Sequence, residues 1–392
     1  MHPEAATKAP PTDKTTARWV AIFMGMSGEN HRHCNGEALP LISTYNRVEW
    51  EATRANAPAD RYPKEMKLPT LAGIREAQTL IYRFMPATPQ FTWPLVNQRL
   101  GVEAWIKHEN HTPVGAFKLR GALTFLAWLK EEQPKLQGVV AATRGNFGQG
   151  VGMAARLFGL KCVIVVPHGN SLEKNRAMVA QGAELITHGH DFQESLEFAQ
   201  GLAAERGFAF IDSFHEQLVH GTATFALEFL EGSPELDLVY IPIGMGSSIC
   251  GMAAARNALG RKTEIVGVAS ELAPAIAHSF EMGLVLEAPA TTAIADGLAC
   301  RRPNADALAV MLQNVSRIVQ VSDADILHAM RALHEDTHNL AEGAGAASMA
   351  AALKEKAMLK NKRVGILLTG GNVDREMYRT VLNATENKTE SH

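Results

Sequence analysis

Lys118 lies in the stretch His111–Ala122, H-T-P-V-G-A-F-K-L-R-G-A, where an apolar-periodic segment begins. A cation at a helix N-terminus opposes the helix dipole, at a cost of roughly a few tenths of a kcal/mol. One reading is a solvated lysine in a harmless place. The other is an amine in use, which the opposed dipole helps to keep deprotonated. A second stretch, Ile241–Gly251 (I-P-I-G-M-G-S-S-I-C-G), runs from an apolar strand through small residues into a helix. There the N–H groups of Gly244, Met245, Gly246, Ser247 and Ser248 can converge on one anion. Ile249 stands where a dinucleotide fingerprint has its third glycine, and no P-loop lysine follows. The loop therefore suits a single phosphate monoester, unless it is an ordinary strand-to-helix turn. Ala142–Gly152 (A-T-R-G-N-F-G-Q-G-V-G) also follows a strand and opens a helix; its amides, with Thr143 and Asn146, suit a carboxylate. Leu367–Asp374 (L-L-T-G-G-N-V-D) ends a strand in the hydroxyl of Thr369 and two glycines, which let a flat ring approach the backbone. For these last two stretches, turn chemistry alone is the alternative.

These groups need a scaffold, and the pattern supplies one. Gly138–Thr143, Lys161–Pro167, Glu184–Thr187 and Phe208–Ile211 read as strands. Between them lie helices over Gly148–Phe158, from a capping box at Asn170 and Glu173 to Gly182, and from a second at Asp191 and Glu194 to Gly207. A second series has strands at Leu236–Ile243, Glu264–Ala269, Ser316–Val321 and Arg363–Leu368, with helices at Leu119–Glu131, Ser248–Leu259 and Asp323–Thr337. Strand–helix repetition with short loops predicts right-handed crossovers and parallel sheets. The expected architecture is α/β, two open twisted-sheet lobes. The small lobe, 138–215, is inserted into a large lobe of 68–137 plus 216–392, and the ligand sits in the cleft between them.

Residues 1–67 read as an irregular extension. The Trp19–Met26 run lacks the flanks of a signal peptide, and His31, His33 and Cys34 lack a fourth metal ligand. The chain has 392 residues, 46 % hydrophobic and 20 % charged, which suits a globular protein and not a disordered one. A net charge of −3 gives no basic excess for nucleic acid or an anionic membrane. Apolar runs such as Cys162–Pro167 are too short to span a bilayer. Four dispersed cysteines (Cys34, Cys162, Cys250, Cys300) form neither a disulfide framework nor a zinc module. The expected protein is cytoplasmic, without a nucleic-acid or membrane partner.

An amine, a monophosphate cradle, a carboxylate loop and a hydroxyl beside room for a ring together describe pyridoxal phosphate holding an amino acid. The chain resembles the fold type II pyridoxal-phosphate enzymes, which share the tryptophan synthase β-like fold. The likeness is strongest to the threonine/serine dehydratase and serine racemase branch. The matching stretches are TPVGAFKLRGA, ATRGNFGQGV, VPHGNSLEKNRAMVAQGAE, HGTATFALEFLE, IPIGMGSSICG, TTAIADGLA, AEGAGAAS and LLTGGNVD, spread over Leu68 to Asp374. The resemblance implies that Lys118 carries the imine link to the cofactor and then acts as base at Cα. It implies that Phe117 packs on the ring, that Asn146 meets the ring hydroxyl and that Thr369 faces the pyridine nitrogen. Gly244, Met245, Gly246 and Ser247, with Ser248 adjacent, hold the phosphate. Thr143, Arg144, Gly145, Asn146 and Phe147 meet the substrate carboxylate, largely through amides, and Glu342 lies near the ring edge. The implied activity is α,β-elimination from an L-3-hydroxy amino acid, giving a 2-oxo acid and ammonia, by a homo-oligomer (dimer or tetramer).

Four departures bear on specificity. Arg144 replaces the serine that serves racemases as acid/base, which disfavours racemisation because a guanidinium stays protonated. Phe147 replaces the usual histidine and makes the substrate side more apolar. Ala269 replaces a metal-binding glutamate, so no metal site of the family type is expected. Leu196 replaces an arginine of members that act on acidic substrates, although Arg144 could supply that charge. The alternatives are a dehydratase for a bulkier or acidic substrate (phenylserine, hydroxyaspartate), a racemase, a β-replacement synthase, or a cofactor-binding protein without catalysis.

Overall fold

The computed structural model describes residues 66–383. Of the expected extension 1–67, only Met66 and Lys67 are among them; the Trp19–Met26 run and the loop with His31, His33 and Cys34 lie outside the described residues. The strands are β1 (Gln90–Thr92), β2 (Glu103–His108), β3 (Gly138–Ala142), β4 (Lys161–Val166), β5 (Glu184–Thr187), β6 (Ala209–Phe210), β7 (Leu238–Pro242), β8 (Glu264–Ser270), β9 (Arg317–Val321) and β10 (Arg363–Leu368). The helices are α1 (Leu71–Ile81), α2 (Pro94–Leu100), α3 (Lys118–Glu132), α4 (Asn146–Leu157), α5 (Leu172–Ala180), α6 (Phe192–Arg206) and α7 (Glu216–Gly232), then α8 (Ser247–Ala258), α9 (Ala275–Met282), α10 (Ala305–Asn314), α11 (Asp323–Thr337), α12 (Gly343–Lys354) and α13 (Arg375–Asn383).

The strands form two sheets. One has six strands in the order β1-β2-β10-β7-β8-β9, parallel except for the β1–β2 pair. The other has four parallel strands in the order β5-β4-β3-β6, all drawn from residues 138–210. The chain thus leaves the six-stranded sheet after β2, builds the second sheet, and returns at β7.

The two-residue period of a strand sends alternate side chains to opposite faces. In β7, Val239 and Ile241 join the apolar cluster around α7 and α8, while Leu238 and Tyr240 join the one around α11 and α12. In β3, Val139 and Ala141 face the α4 side, while Val140 and Ala142 face α6. Both faces of these strands are buried, so their sequence reads as a continuous apolar run.

Two helix starts differ from the sequence expectation. Ser171 caps α5, not Asn170: its hydroxyl accepts from the Lys174 N–H at 3.1 Å. A serine hydroxyl reaches the third helical amide as well as an asparagine does, so the pattern allowed either register. Asp191 does cap α6, accepting from the Glu194 N–H at 3.0 Å, but the Glu194 carboxylate accepts from His190 and not from the cap itself. α6 stops at Gly207, whose φ of 63° lies in the left-handed region that glycine enters without strain.

Where α3 and α7 pack against β2, the core holds four charges. Arg120 donates to both carboxylate oxygens of Glu109 (2.8 and 2.9 Å) and of Glu228 (2.7 and 2.8 Å). Lys107 donates to Glu228 at 2.6 Å and to the Thr88 carbonyl at 2.8 Å. Two cations and two anions balance, and bidentate pairing satisfies donors that burial would otherwise strand. Among the described residues no helix is long and apolar enough to cross a membrane.

Candidate active site

Adjacent parallel strands end at the same edge of a sheet, so whatever follows β2, β10 and β7 emerges together. These are residues 109–118, 369–372 and 243–248, and the loop 143–147 follows β3 of the second sheet. Crevices beyond the carboxyl ends of parallel strands are the usual ligand sites of open α/β sheets. Ala116 and Gly370 form an isolated antiparallel bridge, and the Phe117 N–H donates to the Thr369 carbonyl at 3.0 Å. Gly150 of α4 packs on the start of α3: a Cβ there would lie 3.2 Å from the Lys118 carbonyl. The loop before α4 is thereby held beside Lys118.

Lys118 opens α3, as expected. Its amine lies 4.8 Å from the centre of the Phe117 ring and meets no hydrogen-bond acceptor among the described residues. The residue is half-buried. Burial pulls the amine down to about 8, against the opposing charge of Glu342. A neutral, nucleophilic fraction therefore exists near neutral pH. Phe117 is buried and meets Phe225 edge-on at 6.1 Å.

Asn146 sits at the first position of α4 and donates its side-chain amide to the Glu342 carboxylate. Its carbonyl accepts from Asn372 at 2.8 Å, and Asn372 also donates to the Val114 carbonyl at 2.8 Å. Glu342 is buried at the start of α12, and burial pushes its carboxyl up against the pull of Lys174 and Asn146. The Thr369 hydroxyl, buried at the end of β10, makes no hydrogen bond to another described residue.

In the 244–248 loop the backbone carries the design. Gly246 has φ +104° and is the N-cap of α8. A Cβ on Gly244 would lie 2.3 Å from the Gly297 carbonyl oxygen. Thr222 donates to the Ser247 carbonyl at 2.7 Å and Ser248 to the Pro242 carbonyl at 2.9 Å, which ties down the first turn. The Ser248 hydroxyl is thus occupied, while that of Ser247 meets no described partner. The half-buried Met245 accepts the Cys300 thiol at 3.5 Å.

In the 143–147 loop, Thr143 accepts from the Gly145 N–H at 3.3 Å. Arg144 is exposed, and its charge acts on Asp191. The Phe147 ring is withdrawn into the apolar cluster with Leu119, Val151 and Ile164, which leaves its amide for the loop. Leu196 packs on the cluster around Val140 and Ala199, and Ala269 is buried in β8. Among the described residues no group of three or more His, Cys, Asp or Glu side chains could hold a metal ion.

Three residues of the crevice escaped sequence reasoning. They are Asn372, which holds Asn146, and the pair Lys174–Asp296 at 3.0 Å. All three lie in stretches already quoted (LLTGGNVD, LEKNRAMV, TTAIADGLA), but their partners are more than a hundred residues away.

Residues 82–370 match the family described as "Pyridoxal-phosphate dependent enzyme". The chain belongs to that family. Its cofactor is pyridoxal 5'-phosphate. The L-threonine ammonia-lyase of Thermotoga maritima is 33 % identical over 315 residues, 80 % of this chain and 78 % of that protein. The L-threo-3-hydroxyaspartate ammonia-lyase of Saccharomyces cerevisiae is 33 % identical over 322 residues, 82 % of this chain and 98 % of that one. The maize serine racemase structure superposes with a TM-score of 0.75 at 29 % identity, covering 81 % of this chain and 97 % of that one. The residues present fit the family's cofactor. An amine without a partner among the described residues suits its aldehyde, and glycine-rich amides at a helix start suit its single phosphate. A hydroxyl likewise without a described partner sits on the residue that follows the strand and pairs with the residue before the amine.

Proposed function

We propose that the protein deaminates an L-3-hydroxy amino acid of the threonine or serine type by α,β-elimination, releasing a 2-oxo acid and ammonia. The observation that carries this reading is the Lys118 amine at the start of α3, lowered to about 8 and without an acceptor among the described residues. The likeness to proteins named L-threonine ammonia-lyase supports the substrate class.

Bound pyridoxal phosphate supplies an aldehyde for the substrate amine and an electron sink for the charge left at Cα. The chain does the rest. The amides of Gly244, Met245, Gly246 and Ser247 hold the phosphate, with Ser248 bracing the turn and the Ser247 hydroxyl adding a donor. Phe117 packs beside the ring, and Asn146, oriented by Asn372 and Glu342, meets its hydroxyl. Thr369 presents a neutral hydroxyl to the ring nitrogen; unlike a carboxylate, it does not hold a proton there, so elimination is favoured over slower side reactions. Amides of Thr143, Gly145, Asn146 and Phe147 hold the substrate carboxylate. The Lys118 amine, neutral in part at physiological pH, takes the Cα proton.

Residues 138–215 act as a small lobe against a large lobe of 68–137 and 216–392, with substrate between them. We place the enzyme in the cytoplasm as a homo-oligomer. A second reading, an acidic 3-hydroxy amino acid, is favoured by the exposed guanidinium of Arg144 beside the carboxylate loop. The test is 2-oxo acid release from a panel of L-threonine, L-serine, phenylserine and threo-3-hydroxyaspartate. Release from threonine or serine is expected; a yellow protein that releases oxo acid from none of them overturns the lyase reading.

A further inference from the structure

The first turn of α5 is tied by three contacts to two segments outside its own sheet. The Ser171 hydroxyl donates to Asp374 at 2.6 Å. The Arg375 N–H donates to the Glu173 carboxylate at 3.3 Å. The Lys174 ammonium donates to Asp296 at 3.0 Å. Lys174 is unusual for a lysine, with only 14 % of its side chain exposed. Burial lowers its affinity for a proton, but Glu342, Asp296 and Asp374 outweigh that and raise it, so it holds its proton more tightly than Lys118 does.

Both ends of Lys174 touch the machinery. Its aliphatic stem lies on Gly145 of the carboxylate loop, where a Cβ would meet its Cδ at 3.0 Å. Its head pairs with Asp296, whose neighbour Gly297 places its carbonyl against Gly244 of the phosphate loop. One side chain therefore links the loop after β3 to the 296–297 segment, which itself packs on the loop after β7 of the other sheet. Between them its charge acts on Glu342, which accepts from Asn146.

We propose that Lys174 is a positioning residue: through its pair with Asp296 and its stem on Gly145, it clasps the carboxylate loop to the phosphate-loop side of the cleft. The amides of 143–147 are then held where the substrate carboxylate arrives, and the ordering is done before the substrate binds. Its link to substrate affinity rests on the function proposed above; the clasp itself does not.

The experiment compares Lys174→Met, Lys174→Arg, Asp296→Asn and the double variant Lys174→Met/Asp296→Asn in the cofactor-loaded enzyme. Hydrogen exchange is read at the amides of residues 143–149 and 171–176, and steady-state kinetics with L-threonine are measured alongside. Faster exchange in both segments is expected for Lys174→Met and Asp296→Asn. KM should rise about tenfold with kcat within about threefold, the mark of lost ground-state positioning. The double variant should be no worse than either single one, because both break the same pair, and Lys174→Arg should recover most of the loss. The more exposed Asp296→Asn keeps the test open if Lys174→Met does not fold. Unchanged exchange, additive losses, or a collapse of kcat at constant KM each overturn the clasp. Faster exchange without 2-oxo acid from any substrate would uphold the clasp while ending the lyase reading.

Discussion

The Phe117 N–H donates to the Thr369 carbonyl at 3.0 Å. The residue before the candidate amine is thereby hydrogen-bonded to the residue whose hydroxyl ends β10, and the Ala116–Gly370 bridge extends the contact. Backbone pairing, and not a side-chain contact, joins these two segments. A Thr369→Asp variant is therefore informative. An anion there would hold a proton on the ring nitrogen, and we expect slower elimination with more side reaction per turnover. Product analysis by mass spectrometry would show it; unchanged partitioning would remove this account of Thr369.

Lys118→Ala should lower turnover on the order of a thousandfold or more, since nucleophile and base are lost together. The far-ultraviolet circular dichroism should stay native. Borohydride, which fixes the cofactor to an amine, should label the parent at residue 118 and leave the variant unlabelled.

The lowered amine has a signature in the unloaded protein. Lys118 titrates near 8 when folded, against 10.5 as an ordinary lysine. Between those values the unfolded chain holds a proton that the folded one lacks, so stability rises with pH across that window. Below it, the buried charge costs the folded state its full penalty. Lys118→Met should therefore melt higher than the parent at pH 7, with the gap closing by pH 10.5. A gap that does not vary with pH would count against a buried, charged amine.

Gly244→Ala should cost cofactor affinity more than fold. The new methyl would overlap the Gly297 carbonyl oxygen and push the phosphate loop off its turn. An absorbance titration with pyridoxal phosphate should show the dissociation constant rising at least about tenfold.

Glu228→Gln addresses stability away from the crevice. It leaves Lys107 and one side of Arg120 charged and buried without their partner. Breaking such a network costs about 3–5 kcal/mol. Urea unfolding of the loaded enzyme should show that loss, and a change under 1 kcal/mol would mean that water or a local shift compensates.

Short-range rules made much of the chain readable before any fold was known. β3, β4, β7, β8 and β10 are buried on both faces, so they stand out as apolar runs between glycine and polar punctuation. α11 runs over Asp323–Thr337, where its pattern places it, because Ser322 and Asp325 form a complete capping box. β2 is a central strand that sequence reasoning passed over. It carries Glu103, Lys107 and His108, and Lys107 reads as a surface residue until Glu228, from a helix far along the chain, is seen against it. The same limit applies to Phe147, whose place in the apolar cluster follows from how α4 packs on α3.

By itself the sequence determined the local devices: an amine at a helix start, glycine turns at strand ends, amides free to meet an anion. These depend on backbone geometry within a few residues, which residue type controls directly. Only the tertiary structure decided which devices meet. The parallel register of β2, β10 and β7 brings three loops to one edge, and Lys174 reaches Asp296 across a sequence gap that no local pattern encodes. Pairings between distant residues carry no sequence period, because they are set by how whole elements pack and not by the spacing along any one of them.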